Sequence, residues 1–170
     1  QRAMQRVEAA PGMAVAVVDE GGLVHAAGFG VADIETGAPV TADTRFYIAS
    51  ATKSFTALSI AAMARRGEVD LDAPLADWAP PSGVPGEIAA RITLTDLLSH
   101  RSGVDNAPIA FRVAYSGDWT PEVLWRLTAE TRPRDTPYGQ FVYANSGYNL
   151  ATVLMERRWG RAWRELVEAG

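Results

Sequence analysis

The sequence predicts an α+β fold: an N-terminal β-hairpin belonging to an antiparallel sheet, followed by a mostly helical region. Three observations predict it. Pro11 to Val18 is an unbroken apolar run rich in valine, which reads as a buried strand. Asp19-Glu20-Gly21-Gly22 is a turn signal, and Leu23 to Val31 follows as a second strand, so the two close as a hairpin. From Ser50 the period changes: Ser50 to Arg66 contains neither Gly nor Pro, and Gly67 stands where a helix C-terminus is usually capped.

Gly28-Phe29-Gly30 lacks the third glycine and the following helix of a dinucleotide loop, so it reads as a strand with close backbone packing. Asp33 to Asp43 is a loop, and Thr44 to Ala49 a short extended lead-in. In the helix that follows, Phe55, Leu58 and Ala62 recur at helical spacing, Ile60 and Met63 make other faces apolar, and no charge lies between Lys53 and Arg65. A helix apolar nearly all round is expected to be buried.

Glu68 to Pro81 reads as a loop with a short turn, in which Asp70 and Asp72 cap turns beside Pro74 rather than ligate a metal. Thr93 caps a short helix leading into Ser99-His100-Arg101-Ser102-Gly103. Thr120, with Pro121 and Glu122, caps another through about Ala129. Arg132 to Pro137 is a Pro-rich connector. A helix starting at Ser146 or Asn145 runs through Trp159 to Gly160, and a final short one reaches Ala169. The first residues form a short amphipathic start. No late strands complete the sheet, and a two-stranded hairpin is marginal by itself. The expected organisation is therefore one incomplete domain over 1–170, with 1–49 contributing to the sheet and 50–170 mainly helical.

Composition narrows the function. The 170 residues carry 48% hydrophobic and 21% charged side chains and a net charge of -4, values of an ordinary globular domain with no basic surface for nucleic acid. There is no cysteine, and no apolar run approaches the roughly 20 residues that span a bilayer. No signal-peptide core is present in Gln1 to Arg6. Of 16 basic residues, 15 are arginine and one, Lys53, is lysine. Arginine effectively never loses its proton, whereas a desolvated lysine can do so near neutral pH. A lone lysine in that background marks a position that needs a titratable amine.

Ser50-Ala51-Thr52-Lys53 is an S-x-x-K pattern at the N-terminus of the uncharged helix. Spacing of three places both side chains on one helix face. The positive end of the helix favours developing negative charge on the serine oxygen, and an amine nearby turns an ordinary alcohol into a usable nucleophile. The bland reading has Ser50 as an N-cap and Lys53 as a surface side chain. Downstream, Tyr143-Ala144-Asn145 offers a phenol able to serve as general base and then acid. It also offers an amide with both a donor and an acceptor for a substrate.

The two patterns in this order, about 90 residues apart, resemble the serine β-lactamase and penicillin-binding-protein superfamily. The likeness is greatest to the branch of class C β-lactamases, DD-peptidases, D-aminopeptidases and β-lactamase-fold esterases. It runs through Pro11 to Val18, Gly28 to Asp33, Phe46 to Ala57, Leu97 to Val104 and Tyr143 to Tyr148. The resemblance implies the N-terminal part of the β-lactamase/transpeptidase-like fold and a serine hydrolase acting on a β-lactam, a D-amino-acid peptide or a short ester. It implies that Ser50 forms an acyl-enzyme and that its backbone N–H supplies half of an oxyanion hole. Lys53 and Tyr143 would share proton transfer, and Asn145 would contact substrate. His100 is expected to be structural, since the S-x-x-K mechanism needs no imidazole. No cofactor and no metal are implied, and a periplasmic or secreted location is the family's habit.

The family's third motif, Lys or His, any residue, then Gly, should follow Y-x-N on a strand, but past Asn145 this chain has no Lys and no His. The expectation is an N-terminal portion whose remaining strands either come from a separate C-terminal chain of the same protein or are absent. The partners expected are a small-molecule or peptide substrate and that segment, with no nucleic acid and no membrane span. A second reading is a non-catalytic binding or assembly module that kept the pocket. An α/β-hydrolase fails because no G-x-S-x-G occurs, and zinc hydrolysis fails because His25 and His100 are the only histidines and no H-E-x-x-H occurs.

Overall fold

The computed structural model describes residues 10–78, 82–117 and 119–169. The amphipathic start expected before residue 10, and Pro80 and Pro81, lie outside the described residues. The chain divides into two compact units, 1–49 and 50–170.

In the first unit, β1 (Gly12–Asp19) and β2 (Gly22–Gly30) pair antiparallel, with a bulge between Val17 and Val18. Asp19 accepts the Gly21 N–H at 2.8 Å across the turn, and Gly22 has φ 110°, a conformation open mainly to glycine. The close packing expected at Gly28 is present: a Cβ there would lie 2.2 Å from the Val40 carbonyl oxygen. Burial of β1 is not what the apolar run suggests. Val17 is 48% and Val18 68% exposed, because a two-stranded ribbon has too few neighbours to cover both faces of its pleat. Thr44 to Ile48 forms no strand, and Ala49–Ala51 is a 3₁₀ turn.

The second unit is helical and holds the core. Its elements are α1 (Thr52–Arg65), α2 (Gly86–Ala89), α3 (Leu94–Leu98), β3 (Val104–Asp105), α4 (Ala107–Phe111), α5 (Pro121–Leu127), β4 (Arg132–Pro133), α6 (Asn145–Trp159) and α7 (Trp163–Glu168). α1 ends as its glycine foretells: Gly67, at φ 76°, donates to Ala64 O at 2.9 Å, and Glu68 donates to Met63 O at 3.0 Å, a paired C-terminal cap. Thr93 and Asp96 exchange a capping box at the start of α3, and Thr120 accepts from Val123 N–H before α5. Asp70 accepts from Asp72 N–H and Asp72 from Thr95 Oγ1, so both aspartates serve turns. α2, α4 and the two-residue ladder of β3 with β4 are too short to leave a periodic signal in the sequence.

α6 is the central element, with Leu150, Leu154 and Met155 buried against Leu97, Ile109, Ile60 and Met63 in one cluster. Gly147 lets α6 meet α3, since a Cβ there would sit 2.8 Å from Leu97 O. Gly147→Ala is expected to cost roughly 1–3 kcal/mol through overpacking, despite alanine's higher helix propensity. Its urea midpoint should fall accordingly, and an unchanged midpoint would contradict this helix spacing.

α1 departs from the expected burial. Thr56, Ser59, Ile60 and Met63 are buried, while Phe55 is 52% and Leu58 70% exposed. α1 packs against α6 and α7 along one stripe, where Trp163 Nε1 donates to Thr56 Oγ1 at 2.9 Å. An all-round apolar composition records what a helix can bury, and the number of packed neighbours sets how much is buried.

Candidate active site

The site is assembled from two helix starts and the loop after a third helix. α1 begins at Thr52, two residues later than the Gly/Pro-free run suggests, and no side chain caps it. Ser50 therefore lies in the preceding 3₁₀ turn with its hydroxyl not engaged in capping. Ala49, just before it, holds φ 45°, a left-handed conformation that costs a non-glycine residue about 1–2 kcal/mol. α6 begins at Asn145, and the extended residues ahead of it carry Tyr143.

These elements bring the four sequence-selected side chains together. Lys53 Nζ donates to Ser50 Oγ at 3.2 Å and to Asn145 Oδ1 at 2.8 Å. Tyr143 OH bonds Ser50 Oγ at 2.8 Å. The serine oxygen thus faces an amine and a phenol at once, and the N-cap alternative for Ser50 does not hold. Lys53 is half-buried, while Ser50, Tyr143 and Asn145 are open to solvent. Its ammonium also lies 5.1 Å from the Tyr143 ring centroid and 5.6 Å from that of Tyr148.

Hydrogen bonding from Lys53, then from Ser50, holds the Tyr143 phenol below its ordinary range, with the Lys53 charge adding to the effect. Burial pushes Tyr148 the other way, and the neighbouring Tyr143 adds to that rise. Two phenols in one site are thereby separated: one shifted toward a base, one held as a neutral donor. Tyr148 OH donates to Leu98 O at 2.9 Å.

Tyr148 escaped the sequence reading as a site residue, although it stands three positions after Asn145 and so on the same face of α6. His100 lies beside the site. Its Nδ1 accepts the Ala144 N–H at 3.2 Å, and no bond from its ring to Ser50 is formed among the described contacts. Among the described residues no group of three or more His, Cys, Asp or Glu side chains could hold a metal ion. No helix among them is long and apolar enough to cross a membrane.

A family model described as beta-lactamase matches residues 1–169. The chain belongs to the beta-lactamase family. It is similar to the unguisins hydrolase ungD of Aspergillus violaceofuscus, 31% identical over 93% of this chain and 29% of that protein. Penicillin-binding protein 4 of Amycolatopsis lactamdurans is 30% identical over 92% of this chain and 41% of that protein. Among solved structures, the D-amino acid amidase of Ochrobactrum anthropi SV3 superposes with a TM-score of 0.75 at 27% identity, covering 95% of this chain and 44% of that one. The α+β arrangement, hairpin first and helices after, is thus that of part of the β-lactamase fold. The chain spans under half the length of each of these relatives.

Proposed function

We propose that this beta-lactamase-family chain carries the nucleophile and proton-transfer groups of a serine hydrolase that works through an acyl-enzyme on an amide or ester. The observation that carries this reading is the pair of contacts on one oxygen: Lys53 Nζ and Tyr143 OH both within hydrogen-bond reach of Ser50 Oγ. In the phenolate form Tyr143 accepts from Ser50 across the same 2.8 Å contact. Ser50 Oγ then bonds the substrate carbonyl carbon as its proton passes to Tyr143, and the adjacent Lys53 ammonium stabilises the charge on the phenolate beforehand. The Ser50 backbone N–H supports the carbonyl oxygen as it becomes negative. Collapse of the tetrahedral adduct breaks the bond to the leaving group, which takes the proton back from Tyr143. Water then attacks the acyl-serine by the reverse proton path. Asn145 holds Lys53 through Oδ1 and has its NH₂ to offer the substrate.

The second oxyanion donor, and the third motif that would bring it, are proposed to come from a segment outside these 170 residues. Amide and ester substrates are both compatible with this chemistry. The amidase likeness favours an amide with a D-configured residue as the first to try.

The test is intact-mass and peptide-level detection of a fluorophosphonate or β-lactam adduct. It is followed by turnover of nitrocefin, a D-Ala-D-Ala peptide and a p-nitrophenyl ester by the full-length protein. An adduct on Ser50 with turnover of one substrate is expected. A stable adduct with no turnover of any would point instead to a binding module, and an adduct elsewhere would overturn the site.

A further inference from the structure

His100 follows α3 with φ 60°, a left-handed backbone rarely adopted by side-chain-bearing residues. That conformation turns both of its acceptors toward one short stretch of chain. Its carbonyl oxygen accepts the Val142 N–H at 2.9 Å, and its ring Nδ1 accepts the Ala144 N–H at 3.2 Å. The two bonds bracket Tyr143 on either side. The ring also lies against Tyr143, with centroids 4.6 Å apart and planes at 34°, and against Tyr148 at 5.2 Å.

Building on the serine-hydrolase reading, we infer that His100 is a positioning residue whose unprotonated Nδ1 clamps the backbone around Tyr143 and aims the phenol at Ser50 and Lys53. Tyr143 is half exposed and its hydroxyl points at a reactive oxygen, so packing alone does not hold it. The residues before and after it are anchored instead. A neutral imidazole that accepts at Nδ1 carries its proton on Nε2. A proton on Nδ1 would set two N–H donors against each other and open the clamp.

The groups facing the ring favour the neutral form. Lys53 on α1 brings a positive charge, Arg134 lines the same small cavity beside Ser102 and Thr136, and Tyr143 and Tyr148 lay their rings against the imidazole. Burial first, then the Lys53 charge, holds His100 below the usual imidazole value. The clamp is therefore closed at neutral pH and opens only as acid protonates the ring.

Two replacements separate this role from a structural one. His100→Gly and His100→Asn both suit a left-handed backbone, and both remove the ring. Only asparagine restores an acceptor near the position of Nδ1. In the full-length protein, His100→Gly is expected to slow probe labelling of Ser50 by about 100-fold, the scale of a 1 Å misplacement. The same variant should move the Tyr143 titration, followed by NMR of its ring, up toward the ordinary phenol value. His100→Asn should keep both close to wild type and should lose the acid-side fall in labelling that wild type shows below the usual histidine range. A Tyr143 titration unchanged in His100→Gly, or an asparagine variant that behaves as the glycine one, would overturn the inference. Absent labelling of wild-type Ser50, with Tyr143 shifted only in the glycine variant, would remove the hydrolase reading and leave the clamp in place.

Discussion

Ser50→Ala protein is expected to form no acyl adduct and to lose turnover by about a million-fold, the scale seen when a serine hydrolase loses its nucleophile. The physical reason is that Ser50 Oγ is the atom on which Lys53 and Tyr143 both converge. Tyr143 keeps Lys53 beside it, so the base and its charged neighbour survive with no oxygen to act on. Binding and the remaining polar groups would leave only a residual rate. The same variant makes a graded spectroscopic prediction. Ser50 is the second cause of the lowered Tyr143 value, after Lys53, so Tyr143 in Ser50→Ala should rise only part of the way to the ordinary phenol value. Intact-mass labelling and a Tyr143 ring titration check both points. An adduct of unchanged mass on the alanine variant would place the nucleophile elsewhere.

Lys53→Met is expected to slow acylation by about a thousand-fold, within the range that a positioned base contributes, because Tyr143 loses the ammonium that favours its phenolate form. Lys53 performs three tasks in this geometry: it touches Ser50, it is fixed by Asn145, and it is the largest cause of the lowered Tyr143 value. The sign for pH follows from the last of these. A phenol that must ionise to act gives a rate that rises as pH increases through its folded value. A lowered value places that rise below the ordinary phenol range, near 10. Removing the ammonium moves Tyr143 up, so the rise should shift to higher pH and the deficit should narrow in alkali. Lys53→Arg retains a positive charge but is bulkier, planar and always protonated. It should preserve more of the pH position than of the rate. Profiles of kcat/KM against pH with a p-nitrophenyl ester would read both, and a methionine variant within tenfold of wild type at neutral pH would contradict the role given to Lys53.

The local parts of this site were legible in the residues. Ser50 and Lys53 are three positions apart on one helical turn, a distance that helical geometry sets without help from the rest of the chain. The single lysine among 16 basic residues pointed to the same place. Caps at Thr93, Thr120 and Gly67 were equally readable, because a cap is a contact between near neighbours in sequence. Burial was misread for β1 and α1, since apolar composition does not report how many layers are present to cover a face. The short elements α2, α4 and β3 with β4 were missed because they hold too few residues for a period to show.

What only the tertiary structure decided is how positions some 90 residues apart meet. Tyr143 and Asn145 reach Ser50 and Lys53 because α6 crosses the core between α1 and α3, at a spacing that Gly147 permits. Asn145, expected from resemblance to face the substrate, also holds the lysine. His100, expected to be structural, accepts the backbone N–H groups on both sides of Tyr143, through a left-handed turn that no sequence pattern announces for a non-glycine residue. Contacts within a helical turn are written into the chain by its fixed rise and pitch. Contacts between elements depend on which faces find each other when the core closes, and that choice placed the phenol on the serine.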